Sequence, residues 1–329
     1  MSLSQILRDP ERFVFLYGTT PPRADAAGDA VLRAAARLAE RTATLRLDGL
    51  VVYDIQDESG RTPEERPFPF LPTREAREYA SLLRSASSLP TICYKCVGQA
   101  TPEGWRHWLN AAAADYGVEC LSLVGRATSR GRNDGISLSE ALLQARSHPA
   151  GFTLGGVVIP ERHAPDNVSP GASPQVRAAR SESLRLLEKS ERGCEYFISQ
   201  AVYSPAITAR LLRDYAADCA RLGTAPKRII LTFTPCGAQR TLTFMKWLGI
   251  SIPEETQRSL LAASDPLGES VRICARNLER VLEEAGDTGI PLGVSVESVS
   301  IRKDEISATI DLMDALRIVA EKSMPRPHK

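Results

Sequence analysis

FVFLYG (13–18), GLVVYD (49–54), PTICYKC (90–96), ECLSLVG (119–125), TLGGVVI (153–159), CEYFIS (194–199), RIILTF (228–233) and PLGVSVE (291–297) punctuate this chain of 329 residues. Each is a short apolar run that closes on polar or small residues and is followed by a helix-like stretch. Eight strand-helix units in one chain predict an α/β protein of one domain, a closed (β/α)8 or TIM barrel over 1–329. Such a barrel carries its chemistry in the loops that leave the carboxyl ends of the strands, so the residues just after each run are the candidates.

Helical patterns fill the gaps. In 24–42, Val31, Leu32, Ala35 and Leu38 recur at helical spacing, as do Ile207, Leu211, Leu212 and Tyr215 in 204–222. Further helices are expected over 73–87, 102–116, 137–147, 181–192, 239–248, 254–264, 268–286 and 302–321. Ser204 before Pro205, Thr101 before Pro102, and Ser300 ahead of the last helix are the start signals.

Composition narrows the ligand. With 41 Lys and Arg against 40 Asp and Glu the net charge is +1, so no basic footprint points to nucleic acid or an anionic membrane. No apolar run approaches the roughly 20 residues of a membrane helix, and the first residues, MSLSQILRDPERF, lack the apolar core of a secretory signal. Seven scattered cysteines read as reduced thiols and the cytoplasm as the compartment. The expected partner is a small molecule, with a homo-oligomer or a partner protein left open.

Two segments, 57–72 and 162–180, are too rich in Pro, Ser and charge and too long for ordinary connections. Both follow strands at the catalytic end, as lids and clamps or as surface insertions. His163 closes Ile159-Pro160-Glu161-Arg162-His163 after the fifth strand and is either a proton-exchanging group or a structural hydrogen-bonder. Gln200 closes the sixth strand, where its amide would read a heterocycle edge or tie down a loop. Glu297 closes the eighth, among small apolar neighbours; it is a candidate acid or base if buried, and a structural ion pair otherwise. After the fourth strand, Gly125 and Arg126 open a loop with Arg130 and Arg132 that would hold an anion or lie solvated. Asp54, Gln56, Asp57 and Lys95 complete the polar rim.

Cys93 and Cys96 have CxxC spacing, but an offset of three in a strand sends them to opposite faces, and there is no second pair to complete a zinc site. Nucleotide-fold, P-loop, zinc-protease and serine-hydrolase motifs are absent from the sequence. Trp105 and Trp108 read as a helix packing face.

The order of features resembles the methylenetetrahydrofolate reductase family. The resemblance centres on Lys189-Ser190-Glu191-Arg192-Gly193-Cys194-Glu195-Tyr196-Phe197-Ile198-Ser199-Gln200. Pro21-Pro22-Arg23, Pro160-Glu161 with His163, and Ile250-Ser251-Ile252-Pro253 support it over about 13–320. The resemblance implies an oxidoreductase of one-carbon metabolism that reduces a folate-bound methylene group to methyl, with NADH or NADPH as hydride donor, through FAD or directly. By position it implies that Gln200 contacts the pterin or nicotinamide, that Phe244 stacks on the substrate, and that His163, Glu182 and Lys189 line the flavin's ribityl and phosphate groups, with Gly125 and Arg126 beside it. Asp54 is placed with the substrate.

The chain departs from the family pattern at three points. Gly18 stands where the family has the Glu that protonates the folate nitrogen, Arg126 where it has Asp beside the flavin, and Ile159 where it has Tyr. Arg66-Pro67-Phe68-Pro69 and Glu297 are similar to features of a divergent, actinobacterial-like branch. In that setting Glu297 would supply the missing acid. The alternative is a folate-binding homologue without reductase activity, repurposed or accessory.

Overall fold

The eight runs form eight parallel strands that close in sequence order: β1 (Val14–Thr19), β2 (Gly49–Val52), β3 (Thr91–Cys96), β4 (Cys120–Val124), β5 (Thr153–Val158), β6 (Cys194–Ala201), β7 (Arg228–Phe233) and β8 (Leu292–Val296). This is the (β/α)8 barrel that the sequence predicts. The computed structural model describes residues 1–58, 62–125, 135–163 and 181–323, without the side chains of Arg162 and His163. Among them, no helix is long and apolar enough to cross a membrane.

The chain divides into two compact units. One comprises Met1–Asp9, Val14–Val157 and Lys189–Phe197; the other comprises Pro10–Phe13, Val158–Glu188 and Ile198–Lys329.

In the first unit the strands read as near-continuous apolar runs because parallel strands are covered on both faces. Thr19 pairs with Val52, and Cys96 with Val124. The short helix Leu3–Arg8, which the sequence reading did not anticipate, begins in a capping box built by Ser2 and Gln5. Its Leu3 packs over Gly49, where a Cβ would stand 2.9 Å from the Pro90 carbonyl and 3.1 Å from the Leu3 side chain. Gly155 has a comparable reason: the Tyr196 ring lies so close that any side chain there would overlap it, while the Tyr196 hydroxyl donates to the Leu121 carbonyl at 3.0 Å. The first glycine of TLGGVVI therefore accommodates Tyr196, the third residue of β6.

The helices follow the expected spans to within a few residues. Gly28–Thr42, Ala76–Ser87, Pro102–Ala114 and Leu138–Arg146 belong to the first unit, and Thr101 caps its helix by accepting from the Gly104 N–H at 3.0 Å. Leu32, expected among the buried positions, is 57% exposed. It lies just off the stripe of Val31, Ala35 and Leu38, which does turn inward.

In the second unit β7 and β8 pair from Ile229 with Leu292 to Phe233 with Val296. Helices Pro205–Leu222, Gln239–Trp247, Glu254–Ala262, Pro266–Ala285 and Lys303–Ser323 cover them, and Glu182–Glu191 leads into β6. Two start signals act differently from expectation. The Ser204 hydroxyl donates to the Ser251 carbonyl at 3.2 Å and makes no cap bond. Ser300 lies outside the last helix, and its hydroxyl is committed to Glu305.

All seven cysteines are among the described residues, and none is in a disulfide. Cys93 is fully buried, and burial raises its thiol pKa well above the ordinary value, whereas Cys96 is half-buried and donates to the Gly125 carbonyl at 2.9 Å. The two thus have separate surroundings, as the strand offset implies. Trp105 and Trp108 stack at 5.2 Å on the buried side of their helix.

Candidate functional site

In the first unit, the rim residues assemble around Lys95 at the carboxyl end of β3. Its ammonium donates to Glu75 at 2.8 Å and lies 3.7 Å from Asp54. Asp54 accepts from the Cys96 N–H at 2.9 Å and from the Gln56 amide at 2.8 Å, so a strand end and a loop side chain fix its carboxylate. Glu75 also accepts from the Trp108 indole at 3.0 Å, with Arg77 3.3 Å away. Burial alone would raise the Glu75 pKa, but the Lys95 charge and the bonds from Lys95 and Trp108 outweigh it and hold the carboxyl below its usual range. Burial likewise opposes the charged form of Lys95, and Asp54 and Glu75 overcome it, raising the lysine.

This cluster includes Asp54, Gln56 and Lys95 from the sequence reading. Glu75 and Trp108 were missed as members, because 20 and 33 residues of chain separate the groups that meet. Pro21-Pro22-Arg23 and the end of the 57–72 segment are also joined. Ala24 donates to the Pro72 carbonyl at 2.8 Å, and Arg74 to that of Pro22 at 2.9 Å.

Lys189, expected at a flavin phosphate, donates to the Val157 carbonyl at 2.6 Å and lies over the Phe197 ring at 6.0 Å. Gly125 uses its carbonyl as the acceptor for Cys96. Arg126 lies outside the described residues.

In the second unit, β5 is followed by a short helical turn, Pro160–His163, that carries Glu161; the His163 side chain is outside the description. Glu161 and Glu182 are both buried, at 8% and 5% exposure. Glu182 accepts from the Ile159 N–H at 3.1 Å, which holds the start of its helix against the strand end. Burial, the larger cause, and the neighbouring Glu182 charge raise Glu161 to about 7, against a smaller opposing effect of its own backbone N–H. Two buried carboxyls near one another resist double ionisation, so Glu161 is part-protonated near neutral pH.

Gln200, the penultimate residue of β6, has its amide split in function. Nε2 donates to the Leu248 carbonyl at 2.8 Å, while Oε1 is buried with no hydrogen-bond partner among the described residues. The donor ties down the segment after helix Gln239–Trp247, and the acceptor stays available to a ligand N–H. Phe244, on that helix, is buried and stacks on Trp247 at 6.0 Å. Glu297 follows β8, half-buried, with its backbone N–H donating to the Phe233 carbonyl at 3.1 Å.

Of the positions that the resemblance assigns to flavin, Lys189, Glu182 and Gly125 are described. Lys189 donates into a strand carbonyl, and Glu182 gives one carboxylate oxygen to the Ile159 N–H while the other is buried without a hydrogen-bond partner among the described residues. No group of His, Cys, Asp or Glu among the described residues has the arrangement of a metal site.

No protein-family model and no curated protein matches the chain. Among solved structures, the chain is 32% identical to an uncharacterised protein from Clostridium thermocellum that binds two copies of 5-methyl-5,6,7,8-tetrahydrofolic acid. The match covers 97% of this chain and 99% of that one, with a TM-score of 0.77. It also resembles 2,3-dimethylmalate lyase (13% identity, 97% of each chain, TM-score 0.43) and Xanthomonas albilineans dihydropteroate synthase (15%, 96% and 95%, 0.45). Likenesses as distant as these two carry no functional argument.

Proposed function

The chain belongs to the family of the Clostridium thermocellum protein that binds two copies of 5-methyl-5,6,7,8-tetrahydrofolic acid, and from that premise we propose that it binds a reduced folate. The observation that carries this reading is identity of 32% sustained over nearly the full length of both chains. Gln200 agrees with it: a buried, unpartnered amide oxygen on a fixed side chain suits a pterin N–H. Leaving such an acceptor unmatched costs about 1–3 kcal/mol, so a ligand that supplies the donor is favoured over one that does not.

The finer reading is reduction of a folate-bound methylene group to methyl by NADH or NADPH. Opening the methylene bridge requires a proton on one of the two bridging nitrogens; a hydride then adds to the methylene carbon, and the nicotinamide is oxidised. Glu161 is the carboxyl suited to give that proton, because burial raises its pKa to about 7 and keeps a share of it protonated at neutral pH, where an ordinary Glu is ionised. Glu297, half-buried after β8, is the other candidate for this role. In this reading hydride comes from the nicotinamide, directly or through FAD, with Gln200 orienting the pterin.

A second reading, folate binding without reduction, is favoured by Gly18, a buried strand residue with no acid to offer at the position where the resembled family has one. Anaerobic turnover of NADH or NADPH with methylenetetrahydrofolate, with and without FAD, separates the readings. Methyl-folate formed without FAD supports direct transfer, and formation only with FAD rejects it. Folate binding with no product supports the second reading.

A further inference from the structure

Glu305 lies in the first turn of helix Lys303–Ser323 and is completely buried. Three donors converge on its carboxylate. The Gly237 backbone N–H reaches Oε1 at 2.9 Å from the loop after β7, the Thr241 hydroxyl reaches Oε2 at 3.1 Å from helix Gln239–Trp247, and the Ser300 hydroxyl reaches Oε2 from the loop after β8. Helix Gln239–Trp247 starts behind Ala238, whose methyl offers its first N–H groups no cap. A backbone N–H, two hydroxyls and a positive helix end, gathered by the loops after strands seven and eight, make up the seat where (β/α)8 barrels commonly hold a ligand phosphate. Here the chain's own carboxylate sits among these donors.

We propose that Glu305 is a built-in anion that fills this phosphate seat, so that the loops after β7 and β8 exclude phosphorylated ligands. The Gly237 N–H and the Thr241 and Ser300 hydroxyls are already used, and the Glu305 charge repels a second anion in a place that water does not screen. A cavity of about 190 Å³, lined in part by Cys236, Gly237, Ala238 and Gln239, adjoins the cluster and gives room for an anion once the side chain is removed. The inference concerns what the barrel rejects and stands whether or not its ligand is a folate.

The test is thermal unfolding of the full chain with inorganic phosphate as probe, against chloride at equal ionic strength. Wild type is expected to show no phosphate-specific shift. Glu305→Ala is expected to melt lower in chloride and to regain roughly 5 °C in tens of millimolar phosphate, because binding to the folded state alone raises Tm. Glu305→Gln, which keeps the seat filled without the charge, is expected to melt lower and to regain nothing. Should Glu305→Ala not fold in chloride, its refolding yield from denaturant with and without phosphate gives the same reading: a higher yield in phosphate supports the seat, an equal one overturns it. No phosphate gain in Glu305→Ala, or an equal gain in wild type, overturns the proposal.

Discussion

Gln200 donates from Nε2 to the Leu248 carbonyl at 2.8 Å and keeps Oε1 buried without a partner among the described residues, so one amide both anchors a loop and holds an acceptor ready. Gln200→Glu keeps the size but removes the donor and adds charge; Gln200→Ala removes both functions. Affinity for 5-methyltetrahydrofolate is expected to fall roughly tenfold or more in each, by equilibrium titration. Unchanged affinity in both variants would assign Gln200 to the loop alone.

Glu161 gives the fold a pH dependence of definite sign. Its folded pKa of about 7 lies above the ordinary 4.5, so the folded state binds the proton more tightly than the unfolded chain. The stability from that proton is fully present below about 4.5 and is lost as pH rises through about 7, on the order of 3 kcal/mol in total. Denaturant melts should therefore show wild type losing stability relative to Glu161→Gln across this window. Parallel curves would mean that the carboxyl is ionised throughout. In the reductase reading the same variant also loses turnover, while folate still binds.

Much of this architecture can be read in the chain itself, because eight apolar runs and the helical stripes between them report burial directly. The limits are equally physical. Ser204 and Ser300 look like caps in sequence, yet a tertiary partner, the Ser251 carbonyl, claims the first hydroxyl, and the second bonds the Glu305 side chain and the Arg302 N–H two residues on. Gln200 stands out because it lies at a strand end. The Glu305 cluster does not, since its donors come from 64 and 68 residues away and from the neighbouring loop. Glu161 is visible as an acid after the fifth strand, but its burial beside Glu182 is a property of the folded chain. Arg126 and the 164–180 part of the long segment fall outside the described residues.

Lys95 should act as the keystone of the first unit's ion cluster. Lys95→Met removes the cation that Asp54 and Glu75 share and leaves Glu75 with Arg77 alone. A loss of about 2 kcal/mol is expected, discounted because Glu75 is about one-third exposed. Glu75 has a lowered pKa, so its contribution is present above its unfolded value and lost as pH falls through the folded one. The variant should therefore show a shallower acid limb in chemical denaturation. An acid limb as steep as that of wild type would place the pH dependence elsewhere.

Gly155→Ala places a methyl in the Tyr196 ring and is expected to cost about 1–3 kcal/mol, measured as a lowered denaturation midpoint. Adding Tyr196→Leu should recover part of that loss by clearing the space, less the lost bond to the Leu121 carbonyl. If the double variant is no more stable than Gly155→Ala, the glycine is required for another reason.

Calorimetric titration of the purified protein with 5-methyltetrahydrofolate under reducing, oxygen-free conditions, alongside Gln200→Ala, reads reduced-folate binding itself. Saturable binding that weakens in the variant is the predicted result. No binding by wild-type protein that is shown to be folded would contradict the assignment of this chain as a reduced-folate binder.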